Sequence, residues 1–222
     1  MRSVLFALLP LAIAIAAPAV AGTIRGGVRV PALAFRGPAP DPYPGRAAAM
    51  PGMHGDPRGL VTDAVLSLAS VPAAVESTLA LVDGPHPRLA QKDQSFVPRV
   101  LAIAAGSSVD FPNLDPIYHN VFSVSPTRRF DLGKYPRGQS RAVVFPHPGL
   151  VNVYCDIHSD MAAFIQVLPN HAFVRPDADG RYALPDLPPG RYLLRWWHPD
   201  FDGGSREVTV PAQGDAVVDV EF

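Results

Sequence analysis

GLVNVYCDIHSDMAAFIQVL, residues Gly149 to Leu168, holds two short β-forming runs separated by a polar loop. Gly149-Leu-Val-Asn-Val-Tyr runs into Cys155 as one strand, and Ala162-Ala-Phe-Ile-Gln-Val-Leu168 leaves as the next. The loop therefore joins two adjacent strands at one end of a β-sandwich, where such folds present their functional side chains. Within it Cys155, His158 and Met161 stand at three-residue spacing. A further histidine, His119, opens an upstream run, His119-Asn-Val-Phe-Ser-Val, that also reads as a strand.

One thiolate, two imidazoles and one thioether form a soft, mixed donor set. It matches the trigonal His₂Cys copper site with a weak axial methionine. Copper(II) and copper(I) prefer different geometries, so fast electron transfer needs ligands that favour neither strongly and hardly move. Zinc is the competing metal, but its sites rarely include a thioether. A Cys-x-x-His pair alone is weak evidence. The extension to Met161, with His119 at another strand boundary, makes the signal specific. Asn120, just after His119, is placed to hydrogen-bond across to the ligand loop, and Phe122, Phe145, Tyr154 and Phe164 can supply a dry surround.

Cys155 is the only cysteine of the 222 residues. The chain opens with Met-Arg-Ser, an apolar run and Ala19-Val20-Ala21-Gly22, the form of a signal peptide with its cleavage site after residue 21. The run is short for a bilayer span and is broken by Pro10 and Pro18, so no membrane span is expected after its removal. Export to the periplasm invites disulfides, yet a lone cysteine can form none internally, and metal ligation gives it an occupation. The net charge of −1 suggests binding to neither nucleic acid nor a membrane surface.

The 26 prolines, with short β-branched runs between Pro, Gly and Asp clusters, indicate an all-β protein. Strands are expected at 23–30, 63–69, 77–82, 94–104, 109–111, 119–124 and 140–145, then two within 177–197 on either side of a Pro-Pro-Gly turn, and again over 207–210 and 216–222. Residues 31–59 read as an irregular loop, and 130–138 as a second one. Met50, Met53 and His54 in the first loop make an incomplete soft-metal set, and a solvated loop is the simpler reading. His86, His147, His171 and His198 are scattered beside Pro, Gly or Asn and read as loop or surface residues. Trp196 and Trp197 read as packing residues of a small β-domain.

From about Gln91 to Leu168 the chain resembles a cupredoxin, with the loop spacing of amicyanin. The stretch Gln94-Ser-Phe-Val-Pro-Arg-Val with Phe111-Pro-Asn-Leu-Asp-Pro is similar to exported plastocyanin-like proteins labelled methylamine utilisation proteins. The resemblance implies a Greek-key β-sandwich, one type 1 copper, His119, Cys155 and His158 as equatorial ligands, and Met161 as the axial one. Asp179-Gly180-Arg-Tyr and Pro188-Pro189-Gly190-Arg-Tyr resemble the transthyretin-like, carboxypeptidase-regulatory β-domain, and Thr62-Asp63-Ala64-Val65-Leu66 fits that module's opening strands. The expected order is opening strands of an outer domain (22–86), an inserted cupredoxin domain (87–169) and the rest of the outer domain (170–222). Early strands that extend the cupredoxin sandwich are the alternative.

The implied function is a one-electron carrier, with a copper carrier or storage protein as the rival. A multicopper oxidase would need His-x-His pairs and a histidine next to the cysteine, where Asp156 stands, so no enzyme is expected. Asp156, Ser159 and Asp160 give the ligand loop a polar, acidic rim, which points to a redox partner with a basic docking surface.

Overall fold

A computed structural model describes residues 21–31, 61–82 and 86–222. All but the last residue of the expected signal segment 1–21 and most of the 31–59 loop, including Met50, Met53 and His54, lie outside the described residues. In chain order the strands are β1 (Ile24–Arg29), β2 (Val65–Leu68), β3 (Ala90–Lys92), β4 (Ser95–Val97), β5 (Val100–Ala104) and β6 (Ser108–Pro112). They continue as β7 (His119–Ser125), β8 (Arg128–Tyr135), β9 (Ser140–Val144), β10 (Gly149–Tyr154), β11 (Ala162–Leu168) and β12 (Phe173–Val174). The last are β13 (Arg181–Ala183), β14 (Gly190–Trp197), β15 (Gly204–Val210), β16 (Ala216–Val217) and β17 (Val220–Glu221). The protein is all-β, as the composition requires, apart from short helical turns such as Ala73–Leu79.

The middle of the chain builds one sandwich. Its larger sheet runs β5-β11-β10-β7-β8, and β6 pairs with β9 opposite it. β10 and β11 pair antiparallel with Val151 facing Ile165 and Val153 facing Ala163. Alternate residues of a strand share a face, so this register sends all four inward. They join Val109, Phe111, Val121, Phe145, Cys155 and Met161 in one core. Each fully buried Val or Ile there contributes about 1.5–3 kcal/mol.

A second core takes residues from both ends of the chain. Ile24, Val28, Leu66 and Leu68 pack with Tyr182, Leu184, Leu194, Val208 and Val220. β1 pairs with β13, β16 and β17, while β2 lies between β12 and β14. Val65, Val100 and Leu168 form a small joint between the two cores, with Phe164 and Trp197 packed against it. Arg99 pins this joint: its guanidinium donates to Asp63 at 2.7 Å and to both carboxylate oxygens of Asp200 at 2.8 Å.

Two expectations fail. Residues 77–82 are not a strand: Ala73–Leu79 is a helix, with Leu81 and Val82 exposed beyond it. β2 already has a neighbour on each side, β12 and β14, so this segment cannot pair with the strand that precedes it in the chain. Proline before an alanine pair, with Glu76 in the first turn, suits a helix start instead. Residues 130–138 are not a loop, because β8 pairs with β7 over Arg128–Tyr135. Phe130 and Leu132 pack against the core and Tyr135 ends the strand inside it, while Arg129, Asp131 and Lys134 are exposed on this edge strand. Lysine and arginine blunt a sheet edge, and here they also hide the strand's alternation.

Candidate metal centre

β7 brings His119 to the end of the sandwich where β10 releases the chain into the ligand loop. The loop is closed by its own backbone: the Cys155 N–H donates to the Met161 carbonyl at 3.3 Å, and the Met161 N–H to the His158 carbonyl at 3.0 Å. Cys155 and Met161 are buried in the same core, His119 is wholly buried, and His158 is partly exposed. His119 and His158 both turn Nδ1 toward the Cys155 sulfur, at 3.9 and 3.8 Å. The three donor atoms lie within 4.8 Å of one another, the one such cluster among the described residues.

These separations fit a shared ion. With zinc-like bonds of about 2.3 Å to sulfur and about 2.0 Å to nitrogen, an angle of roughly 120° separates the two donors by about 3.7 Å. The imidazoles must be neutral to coordinate. Burial, and then the neighbouring His119, hold the His158 pKa below the ordinary imidazole value. Four sequence-predicted residues thus occupy one loop and one strand end. Three have donor atoms gathered together, and Met161 is buried beside them.

The sequence did not single out what holds His119. Its Nε2 lies 2.7 Å from Asp115 Oδ2, four residues upstream and 4% exposed. The same carboxylate accepts from the backbone N–H groups of Asp93 at 2.6 Å and Gln94 at 2.9 Å. Those two residues form the tight turn between β3 and β4, with φ of 54° and 56°, the left-handed pair of a type I′ hairpin. Burial alone would raise the Asp115 pKa, but the hydrogen bonds from Gln94, His119 and Asp93 outweigh it and leave the carboxyl below its ordinary value. A histidine ligand whose second nitrogen meets a carboxylate is fixed in tautomer and orientation.

Asn113 holds the segment that carries Asp115. Its side chain donates to the carbonyls of Ile117 and Tyr135, at 2.8 and 3.0 Å, and accepts from the Asp115 N–H at 2.9 Å. An Asp-x-x-x-His spacing ahead of a strand was the available signal for Asp115. Asn120 does not reach across to the ligand loop. Its amide donates to Asp131 on β8 at 2.6 Å, because the β7–β8 ladder shifts register just after it.

The rim is not purely acidic. Asp156 and Asp160 are exposed, but so are Ile157 inside the ligand loop and Leu114, Ile117 and Tyr118 in the segment leading to His119. Among the other histidines, His171 clasps Glu76 at 2.7 Å. His198 is not at the surface as expected: it is buried, with Phe201 and Phe222 stacked against it. Trp197 packs against Phe164 at the joint between the cores.

No family model matches the sequence, and no curated protein is detectably similar to it. Solved structures to which parts of it are similar include a copper-containing nitrite reductase from Thermus scotoductus SA-01. That likeness has 26% identity over 39% of this chain and a TM-score of 0.36, and the chain spans only 23% of the reductase. A purple cupredoxin from Nitrosopumilus maritimus is 20% identical over 36% of this chain and 98% of its own, with a TM-score of 0.34. A Cu(I) amicyanin mutant is 18% identical over 46% of this chain and 97% of its own, with a TM-score of 0.36. Likenesses this partial carry no functional weight, and the reading below rests on the donor atoms. No described helix is long and apolar enough to cross a membrane.

Proposed function

We propose that this chain is an exported type 1 copper protein that carries single electrons in the periplasm and catalyses no reaction by itself. The observation that supports this is the convergence of both imidazole Nδ1 atoms on the buried Cys155 sulfur, at 3.9 and 3.8 Å. A thiolate with two imidazoles and a thioether selects copper over harder ions, and copper there supplies a one-electron couple. In this reading His119, Cys155 and His158 would hold the copper, with the buried Met161 as the thioether beside them. Asp115 fixes His119, the buried wall of Phe111, Val121 and Val153 keeps water from the thiolate, and partly exposed His158 faces the redox partner.

Residues 87–169 are read as a cupredoxin unit inserted into an outer domain, 22–86 with 170–222, of the carboxypeptidase-regulatory type. The signal segment 1–21 accounts for export. The rival reading, a copper carrier or storage protein, uses the same ligands.

Copper(II) added to the purified protein should give an intense thiolate-to-copper band in the visible region that Cys155→Ala abolishes. Reversible voltammetry with slow loss of copper to a chelator favours the electron carrier, and rapid loss favours the storage protein. A colourless protein that binds zinc equally well overturns the copper reading.

A further inference from the structure

The face beside His119 carries charge opposite to that of the ligand loop. Between Arg128 and Arg141 the sequence holds Arg128, Arg129, Lys134, Arg137 and Arg141 against a single carboxylate, Asp131. That carboxylate is already engaged by Asn120 and by the Gly133 N–H, at 2.6 and 2.8 Å.

The strand ladder brings part of this charge to the ligand end. His119 pairs with Tyr135, and Asn120 with Lys134. Arg141 crosses from β9 to lie over the Tyr135 ring, 4.9 Å from its centroid. Arg137 and Lys92 line one cleft of about 530 Å³ together with Asp93, Asn113, Leu114 and Asp115, whose carboxylate is already taken up by His119 and two backbone N–H groups. Lys92, Lys134, Arg137 and Arg141 are all exposed, and among the described residues none of them forms an ion pair.

Apolar side chains share this end: Leu114 lines the cleft with Lys92 and Arg137, and Tyr118 directly precedes His119, whose neighbour Asn120 pairs with Lys134. Leu114, Ile117 and Tyr118 are 42, 38 and 58% exposed. Their backbone is not loose. The Asn113 N–H and carbonyl bond to Gln139 and Gly138, its side chain holds Ile117, and the Leu114 N–H donates to the Gln91 carbonyl. Large apolar groups kept in water on a fixed scaffold mark an interaction surface, and unpaired cations around them select its partner.

We propose that this face, Leu114, Ile117 and Tyr118 framed by Lys92, Lys134, Arg137 and Arg141, is the docking surface for an acidic segment of a partner protein. The proposal rests on the copper reading only for the purpose of the contact. The partner approaches on the β7–β8 side of the ligand end. The Asp156–Asp160 loop steers it there by repelling carboxylates from the other side. The partner expected from the loop sequence alone has the opposite sign.

The test needs no copper. The full chain, labelled with ¹⁵N and kept metal-free, is titrated with the redox-inert paramagnetic anion hexacyanochromate(III) and with a short glutamate-rich peptide containing one tyrosine. The anion should broaden the amides of Lys92, Leu114 and Gly138. The peptide should shift those of Leu114, Ile117 and Tyr118, with affinity that falls as salt is added. The double substitution Lys92→Glu with Arg137→Glu, both at exposed positions, should weaken both titrations by about tenfold or more, whereas Asp156→Ser with Asp160→Ser should not weaken either. Broadening spread evenly over the surface, or a charge-reversed protein that titrates like the parent, overturns the proposal. Failure to bind copper would overturn the metal reading while leaving these titrations unchanged, so the two failures are distinguishable.

Discussion

Replacing Asp115 by alanine removes one acceptor from three donors: His119 Nε2 and the backbone N–H groups of Asp93 and Gln94. The two turn residues are exposed, so water can replace the carboxylate there at modest cost. His119 is 0% exposed, so its Nε2 loses a partner that water cannot supply without rearrangement. A buried donor left unpaired costs about 1–3 kcal/mol, and two solvent-rescued bonds add about 1 kcal/mol together. The metal-free protein should therefore unfold about 2–4 kcal/mol more easily, read from denaturant midpoints.

Metal affinity should fall separately, because an unpinned imidazole has to be ordered on binding. Loss of such an outer partner costs roughly 10–100-fold in affinity, or about 1.4–2.7 kcal/mol, measured by competition with a chelator of known strength. Asp115→Asn can keep its oxygen on His119 Nε2 and the Gln94 N–H and turn its NH2 toward the Asp93 N–H alone, so it should recover most of the lost metal affinity and only part of the lost stability. A folded alanine variant that holds metal within about twofold of the parent would refute the assignment of Asp115 as the group that orients His119.

Arg99→Ala should cost about 2 kcal/mol in stability, discounted for the partial exposure of the guanidinium, because Asp63 and Asp200 lose their shared partner. Calorimetry should then resolve two transitions where the parent shows one. The hydrogen bond from Arg99, ahead of burial acting the other way, holds the Asp200 pKa below its ordinary value. A depressed carboxylate contributes stability above its unfolded pKa of about 3.9 that is lost as pH falls through the folded value. Melting temperature should therefore drop more steeply below about pH 4 in the parent than in Arg99→Ala. Tyr135, pushed up to about 12 by burial, should remain a phenol when exposed tyrosines ionise, which absorbance titration reads. Tyr135→Phe should leave Gln91 Nε2 short of an acceptor at about 1 kcal/mol.

The parts of the fold that were legible in the sequence are those whose side chains alternate against a core. β10 and β11 could be read because Val151, Val153, Ala163, Ile165 and Val167 are all buried within one sandwich. β8 could not. It is an edge strand with one covered side, and its inward residues, Phe130, Leu132 and Tyr135, are not evenly alternating and are embedded among Arg, Asp, Lys and Gly. Residues 77–82 misled for the opposite reason. Thr78 and Val82 have strand-like propensities, but Ala73, Ala74, Leu79 and Ala80 favour a helix, β2 was already paired on both sides, and Glu76 on that helix meets His171. Propensity is a weak prior wherever the neighbouring strand slots are filled.

The site divides along the same line. Cys155, His158 and Met161 are local in sequence, so their spacing alone places them on one loop. His119 was legible because a histidine at a strand start could close that loop. Asp115 was not, because its carboxylate is held by the backbone N–H groups of a turn about twenty residues earlier, a pairing that no local spacing shows. The acidic loop shows only part of the charge around the site for a related reason. Asp156 and Asp160 lie next to the ligands in sequence, while Lys92, Lys134, Arg137 and Arg141 reach the same end only through pairing and turns. Local spacing can specify a set of metal donors, but the field that a partner meets is summed over strands far apart in the chain. A surface read from the ligand loop alone therefore samples only the negative half of that field.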